Sequence, residues 1–256
     1  MNKEKPLILI TNDDGYQAKG IASLTEALKS LGEIVVFAPD THQSGMSSAF
    51  SASVPLRCRL YKQEKDMRYY TCTGTPVDCI KLALDQILER KPDLIVSGIN
   101  HGSNAGISVI YSGTMGAAIE GCIANIPSFG ISLNDFVPDA DFSQSARIAY
   151  RVAEKILHNG GLPKGVCLNI NVPVGEVKGL QVAKQTSGKW VNEYVKSADG
   201  AGNDVYWITG NFENWENDNY NSDEWALANG YAAVVPIKID MTAYDCMSEL
   251  KEKLLK

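Results

Sequence analysis

The chain has 256 residues, of which 45% are hydrophobic and 21% are charged, and its formal net charge at pH 7 is -6. This composition is typical of a globular protein with a sizeable core, and the acidic balance argues against a surface that binds a nucleic-acid polymer through its phosphates. The apolar runs have the length of strands and are too short for a bilayer-spanning helix or a signal-peptide core, so we expect a cytoplasmic protein with no membrane partner.

In the first part of the chain, short β-branched runs alternate with amphipathic stretches, as in successive βαβ units. Strands are expected at residues 7–11, 34–38, 93–97, 128–132, 166–171 and 231–239. Helices are expected where apolar residues recur at helical spacing, at 21–31, 76–87, 113–124, 141–157 and 247–255. The pattern predicts an α/β fold with a Rossmann-like, doubly wound and mostly parallel sheet.

The pattern changes after about Pro173, and a long polar stretch at residues 187–222, here called the arm, interrupts the alternation. Strand-like pieces at 177–185 and 205–209 predict a C-terminal extended hairpin. The arm is too aromatic for a solvated linker, since it contains Trp190, Tyr194, Tyr206, Trp207, Phe212 and Trp215. We therefore expect a single α/β domain over residues 1–256, whose arm covers another subunit in a homodimer or homotetramer.

Two adjacent carboxylates, Asp13 and Asp14, follow the first predicted strand, and Gly15 allows the backbone to turn there. In a parallel α/β sheet, ligands bind beyond the carboxyl ends of the strands, which is the position of this pair. Neighbouring carboxylates repel each other, and a hard divalent cation such as Mg²⁺ or Mn²⁺ relieves the repulsion. The alternative is an ordinary turn, because Asn-Asp-Asp-Gly also favours turns.

Three more polar segments, at residues 37–48, 96–106 and 111–118, follow predicted strands or open a helix. They supply hydroxyl, amide and glycine groups suited to a metal or a phosphate, namely Ser44, Asn100, Asn104, Ser112, Gly113 and Thr114. Each segment has a structural alternative, as a plain loop or an N-cap. Four such segments at strand ends are less expected by chance than any one of them, and together they indicate a shared site.

Other nucleotide-binding and metal-binding classes lack their motifs in this sequence. Neither GxxxxGK[ST] nor GxGxxG occurs, which argues against a P-loop NTPase and a dinucleotide oxidoreductase. The six cysteines include no CxxC pair, and the three histidines have no helical metal-ligand spacing, so a zinc site is not expected.

Six motifs cover nearly the whole chain: ILITNDDG, VFAPDTHQSGMS, GTPVDCIKLAL, PDLIVSGINHGSN, YSGTMGAAIEG and WALANGYAAVVPIKIDMTAYD. With these motifs the chain resembles the SurE family of survival-protein-E nucleotidases. The resemblance implies a metal-dependent phosphomonoesterase, or acid phosphatase, that hydrolyses nucleoside 5'-monophosphates, and also 3'-monophosphates, to nucleoside and phosphate. It further implies oligomers in which the arm and the C-terminal segment exchange between subunits.

The resemblance also implies one divalent cation per subunit, Mg²⁺ or Mn²⁺, with the ligands Asp13, Asp14, Ser44 and Asn100. Asp13 and Asp14 are the expected catalytic residues, and the phosphate would be bound by Asn104, Ser112, Gly113 and Thr114. Asp13 is the candidate acceptor for the proton of the attacking water, although direct attack by this aspartate also fits the sequence. His101 is either a general acid or a structural histidine.

Two other functions stay open as alternatives at this level. The first is an exopolyphosphatase, which would use the same metal chemistry on a chain of phosphates. The second is a non-catalytic nucleotide-binding sensor, because a fold does not fix a function.

Overall fold

The computed structural model describes residues 5–255. In the first part of the chain the elements are β1 (Leu7–Thr11), α1 (Lys19–Leu28), β2 (Glu33–Pro39), β3 (Cys58–Glu64), β4 (Met67–Cys72), α2 (Pro76–Leu82), β5 (Leu94–His101), α3 (Gly113–Ile123), β6 (Ser128–Leu133), α4 (Ser143–His158) and β7 (Val166–Val172). Shorter elements follow: β8 (Leu180–Val182), β9 (Gly188–Val191), β10 (Tyr194–Ala198), β11 (Asp204–Ile208), β12 (Asn211–Asn214), α5 (Asp223–Ala228), β13 (Ala232–Lys238) and α6 (Met247–Leu255). A π-helical turn (Ala83–Ile87) extends α2, and 3-10 segments occupy Gly106–Ile110 and Tyr244–Cys246.

Within the described residues, the central sheet has nine strands in the order β3-β4-β2-β1-β5-β6-β7-β13-β8. The strands from β4 to β7 in this order are mutually parallel, whereas β3 runs antiparallel to β4 and β13 antiparallel to β7. The chain extends from β1 first through β2 and later, on the other side, through β5. The predicted doubly wound, mostly parallel α/β sheet is confirmed, and its switch point lies between β1 and β5.

Alternate residues of β1 point to opposite faces of the sheet, and different helices cover the two faces. Ile8 and Ile10 pack with residues of α1 and α4, whereas Leu7 and Leu9 pack with residues of α2 and α3. All four side chains are buried, which explains why β1 is a continuous apolar run. With both faces covered, the carboxyl ends of the parallel strands form the edge that is open to ligands.

The arm consists of two antiparallel hairpins. β9 pairs with β12 at the base of the arm, and β10 pairs with β11 toward its tip. The predicted C-terminal hairpin is therefore present, but the assignment of residues 177–185 to it is wrong, because they contribute β8 beside β13 in the central sheet. β8 is a three-residue edge strand with exposed ends, so its local pattern does not distinguish it from a strand of the arm.

Several other elements differ from the sequence prediction. β3 was not predicted, and it is exposed along its whole length as an edge strand, so it lacks an apolar alternation. α5 was not predicted either, because it has only six residues and directly follows the polar stretch, with Ser222 as its N-cap. α1 ends at Leu28, earlier than the predicted end. No helix within residues 5–255 is long and apolar enough to cross a membrane.

Candidate active site

The candidate site lies at the switch point of the sheet, where β1 and β5 end side by side. Asp13 and Asp14 follow β1 directly, and Asn100 is the second-last residue of β5. The loop after β2 brings Ser44 to the same cavity, and the start of α3 brings Ser112 there. The structure therefore brings together residues that are distant in the sequence but share the carboxyl edge of the sheet.

Asp13 is 4% exposed and has few partners for its charge. The Thr114 hydroxyl donates a 2.5 Å hydrogen bond to its Oδ1, and its backbone carbonyl accepts the Gln43 N–H at 2.7 Å. Burial raises the pKa of Asp13 to about 6; the Thr114 hydrogen bond opposes the increase, and the Asp14 charge adds to it. In the absence of a cation, this carboxyl group is therefore protonated more readily than an ordinary aspartate.

The charge of Asp14 is also offset by few contacts. Its Oδ2 accepts the His101 backbone N–H at 3.2 Å, and Nδ1 of His42 lies 3.6 Å from Oδ1. Burial raises the pKa of Asp14 as well. No lysine or arginine in the described part of the chain forms an ion pair with Asp13 or Asp14. The pair therefore has no lysine or arginine partner that would offset its negative charge.

Asn100 and Ser44 add oxygen donors to this pair. The Asn100 side chain donates its N–H to the Gly102 carbonyl at 2.7 Å, which turns its amide oxygen away from that carbonyl. Asp13, Ser44 and Asn100 line one cavity. Carboxylate, amide and hydroxyl oxygens are ligands of hard divalent cations, so this donor set fits Mg²⁺ or Mn²⁺. Across residues 5–255 there is no group of three or more His, Cys, Asp or Glu that could hold a metal, so a zinc-type centre has no candidate there.

The start of α3 borders the same cavity. Ser112 is the N-cap of α3, and its hydroxyl accepts the Met115 N–H at 3.1 Å. Gly113 lies so close to Asp13 that a Cβ at this position would be 3.0 Å from the Asp13 Cβ. Thr114 is fully buried, and its hydroxyl donates a hydrogen bond to Asp13. The free backbone N–H groups at the helix start are therefore the part of this segment best suited to a phosphate.

Asn104 also lines the cavity and is held by buried amides that the sequence interpretation missed. Its Nδ2 donates to Ser132 Oγ at 2.8 Å, and its backbone N–H donates to Asn171 Oδ1 at 2.8 Å. The Asn169 side chain donates to the Asn104 carbonyl, also at 2.8 Å. Asn169 and Asn171 are two residues apart on β7 and therefore share a face. Two amides at this spacing in an otherwise apolar strand are the signal that could have identified them.

His101 ends β5 and lines the cavity next to Asp14. Its ring packs edge-on against Phe142, with 5.9 Å between the ring centroids. Its Nε2 is buried, and among the described residues it has no hydrogen-bond partner. A buried ring nitrogen without a partner is unusual in proteins. The role of His101 as a general acid stays a prediction.

The cavity has a volume of about 490 Å³ and extends from the oxygen donors to the arm. Its far wall is formed by residues of the arm and of the loop after β6, namely Phe136, Trp190, Glu193, Tyr194, Ile208 and Thr209. From the sequence, Trp190 and Tyr194 are expected only at a subunit contact, and the other four residues have no individually predicted role. No local pattern shows where a hairpin folds back, which is why these residues were missed. None of the described residues that line the cavity is lysine or arginine.

The chain matches the family model described as Survival protein SurE over residues 8–192. It is 51% identical over 251 residues to the 5'-nucleotidase SurE of Bacteroides thetaiotaomicron, covering 98% of this chain and 96% of that protein. It is 48% identical over 252 residues to the 5'-nucleotidase SurE of Phocaeicola vulgatus, covering 98% of both. The crystal structure of the SurE protein from Aquifex aeolicus aligns with a TM-score of 0.82 at 38% identity, covering 97% of this chain and 99% of that chain.

Proposed function

Because the chain belongs to the SurE family, we propose that it is a 5'-nucleotidase whose hydrolysis of nucleoside monophosphates depends on one divalent cation per subunit. The products are a nucleoside and inorganic phosphate. The proposed ligands of the cation, Mg²⁺ or Mn²⁺, are Asp13, Asp14, Ser44 and Asn100. The proposed phosphate-binding residues are Asn104, Ser112, Gly113 and Thr114.

The proposal depends above all on the pair Asp13 and Asp14: Asp13 lines a cavity with no lysine or arginine among its described lining residues, and Asp14 accepts the backbone N–H of His101, which also lines it. A phosphate monoester brings a charge near -2 to a site that already holds two carboxyl groups. None of the described residues lining the cavity is lysine or arginine, so no permanently charged basic side chain in that lining offsets this charge. Asp13 and Asp14 would hold a divalent cation, which would relieve the repulsion between the two carboxylates and attract the phosphate.

The residues of the site have separate tasks in the proposed reaction. When bound, the cation supplies charge stabilisation for the phosphoryl oxygens and lowers the pKa of a nearby water. Ser112 fixes the first turn of α3, so that the backbone N–H groups of Gly113 and Thr114 hold the phosphate in position. The Thr114 hydroxyl orients the Asp13 carboxylate, which accepts a proton from the attacking water.

A substrate panel in the presence of Mn²⁺ tests this function. We expect phosphate release to be fastest from 5'-AMP, slower from 3'-AMP and slower still from tripolyphosphate, because the described cavity lining has no lysine or arginine along which a polyphosphate chain could lie. Faster release from tripolyphosphate than from 5'-AMP would instead favour the exopolyphosphatase. Binding of 5'-AMP without any phosphate release would favour the nucleotide sensor.

We also propose that the tip of the arm binds a second copy of this chain, in a homodimer or homotetramer. Val195 and Trp207 are cross-strand partners on β10 and β11, and they are 56% and 68% exposed. They share the hairpin face opposite to that of Tyr194 and Ile208, which line the cavity. Exposed apolar surface of this kind is a liability in a monomer. The single domain and the cytoplasmic location stay predictions.

Simultaneous replacement of Val195 and Trp207 by aspartate tests the assembly. We expect light scattering to give a smaller molar mass for this variant than for the original protein, because charged groups would have to be buried at the contact. Val174→Asp is a matched control, since Val174 is 61% exposed and lies outside the arm. An unchanged molar mass in the double variant would contradict the assignment of this face to the contact.

A further inference from the structure

The cavity of the proposed active site has an apolar end that the hydrolysis step does not use. Phe136 reaches it from the loop after β6, and Tyr194 and Ile208 reach it from the arm. These side chains are 75%, 66% and 75% exposed, although they are large and apolar. Exposed aromatic groups beside a polar cavity are typical of a binding surface for a flat, largely apolar ligand.

Phe136 is supported by the segment that also carries a proposed metal ligand. Its ring packs on Gly102, where a Cβ would lie 2.5 Å from the Phe136 Cε1. Gly102 has a φ of +107°, which favours glycine at this position. Its carbonyl accepts the Asn100 side-chain N–H at 2.7 Å. The position of the Phe136 ring is therefore coupled to that of Asn100 through one residue of backbone.

The wall that the arm contributes is also anchored to the domain. Tyr194 and Ile208 are direct cross-strand partners, so their side chains lie next to each other on one face of the hairpin. At the base of the arm, Trp190 Nε1 donates to Ser108 Oγ at 3.2 Å, and the Trp190 ring packs edge-on against Phe212. These contacts hold the arm against the 3-10 segment that precedes α3, and hence close to the start of α3.

We propose that Phe136 and Tyr194 form a nucleobase platform, on which the base of a nucleoside monophosphate stacks while its phosphate lies at the Asp13 end of the cavity. This inference rests on the proposed nucleotidase function and adds the residues that make the site selective for nucleotides. The volume of about 490 Å³ is within the range of cavities that enclose a ligand of this size. Phe136 and Tyr194 are specificity-determining residues, because they contact a part of the substrate that does not react.

The chemistry of stacking determines which substrates the platform selects. Every base has a π-face, so purines and pyrimidines both bind, and base identity is read only weakly. A phosphate ester without a base, such as ribose 5-phosphate, gains nothing from the platform. The site therefore favours nucleotides over sugar phosphates, and it does so through KM more than through kcat, since the platform is remote from the transferring phosphoryl group.

The test compares 5'-AMP with ribose 5-phosphate in five single variants, of which two are controls. Phe136→Ala and Tyr194→Ala are each expected to lower kcat/KM for 5'-AMP about tenfold, mainly through KM, and to leave ribose 5-phosphate unchanged. Phe136→Trp is expected to retain the activity on 5'-AMP. The controls are Phe50→Ala and Tyr206→Ala, because these residues are 60% and 62% exposed and do not line the cavity. Tyr206 also lies on the same hairpin as Tyr194.

Two results would overturn the platform. One is an unchanged kcat/KM for 5'-AMP in both alanine variants, and the other is an equal loss on 5'-AMP and ribose 5-phosphate. If the unsubstituted protein releases phosphate from neither substrate, the proposed function fails, and calorimetry with 5'-AMP and Mn²⁺ then decides on the platform alone. Binding about tenfold weaker in Phe136→Ala and Tyr194→Ala would uphold it, and unchanged binding would overturn it.

Discussion

Replacement of Asp13 by asparagine is expected to lower phosphate release from 5'-AMP about a thousandfold, because the variant loses a proposed metal ligand and the proposed proton acceptor together. Asparagine has nearly the same shape and can still accept the 2.5 Å hydrogen bond from the Thr114 hydroxyl. The fold should therefore persist, which circular dichroism and gel filtration can verify. Activity within tenfold of the original would contradict the assignment of Asp13.

In the metal-free protein, the same substitution is expected to increase the free energy of unfolding at neutral pH. Burial raises the pKa of Asp13 from 3.8 to about 6 in the folded state. The folded chain therefore binds the Asp13 proton more tightly than the unfolded chain does. Protonation of Asp13 thus stabilises the fold fully below pH 3.8, and this stabilisation is lost as the pH rises through about 6. The difference between the two pKa values corresponds to about 3 kcal/mol, which is the free energy that the ionised Asp13 costs the folded protein. Burial of the asparagine amide costs part of this amount, so we expect a net gain in stability of about 2 kcal/mol.

Urea unfolding with a chelator, at several pH values between 4 and 8, measures this effect. The original protein should lose stability through Asp13 between pH 4 and about 6 and show no further loss from this group at higher pH, and Asp13→Asn should lack this component. The control is Asp66→Asn, because Asp66 is a surface carboxylate that pairs with Lys5 at 3.0 Å, and such pairs contribute only about 0–1 kcal/mol. Equal pH profiles for the original protein and Asp13→Asn would contradict the raised pKa of Asp13.

Gly116→Ala is expected to lower kcat/KM about a hundredfold, although alanine is favoured over glycine in a helix by about 1 kcal/mol. A Cβ on Gly116 would lie 2.3 Å from the Ser47 carbonyl oxygen. The Ser47 hydroxyl also donates to the Ile110 carbonyl at 2.5 Å, so the loop after β2 packs tightly against this part of the domain. The exposed loop after β2 therefore has to move to accommodate the methyl group, and this movement takes Ser44 away from Asp13.

Isothermal titration with Mn²⁺ and steady-state kinetics on 5'-AMP measure the effect of Gly116→Ala. The affinity for Mn²⁺ should fall together with kcat/KM, while the thermal midpoint of the metal-free protein changes little. Gly200→Ala is the matched control, because no atom lies within 4 Å of a Cβ at that position. Unchanged Mn²⁺ affinity in Gly116→Ala would argue against Ser44 as a ligand.

The central sheet could be predicted from the sequence because its strands are buried on both faces. The runs at β1, β2, β5, β6 and β7 are apolar and bounded by turn residues, and a strand of this kind has few alternative structures. β3 and β8 lie at the edges of the sheet, where one side is solvated, so their sequences carry little apolar pattern. Their pairing is set by tertiary contacts instead.

The candidate site was predictable to the extent that it depends on strand ends. Asp13, Ser44 and Asn100 each follow or end a parallel strand, and the topology of such a sheet brings these positions to one edge. Thr114 was predicted to bind phosphate, and its hydroxyl instead contacts Asp13 in this structure, a detail that depends on how α3 is oriented. Phe136 and Tyr194 reach the cavity through a loop and a hairpin, whose paths no local periodicity determines.

The most direct test of the proposed metal-dependent nucleotidase is phosphate release from 5'-AMP by chelator-treated protein, with Mn²⁺ titrated back and its binding followed by calorimetry. We expect activity to fall about a thousandfold after chelation and to recover in parallel with the binding of one Mn²⁺ per subunit. Asp13→Asn should neither bind Mn²⁺ in this range nor recover activity. Undiminished phosphate release from 5'-AMP by the chelated protein would contradict the account.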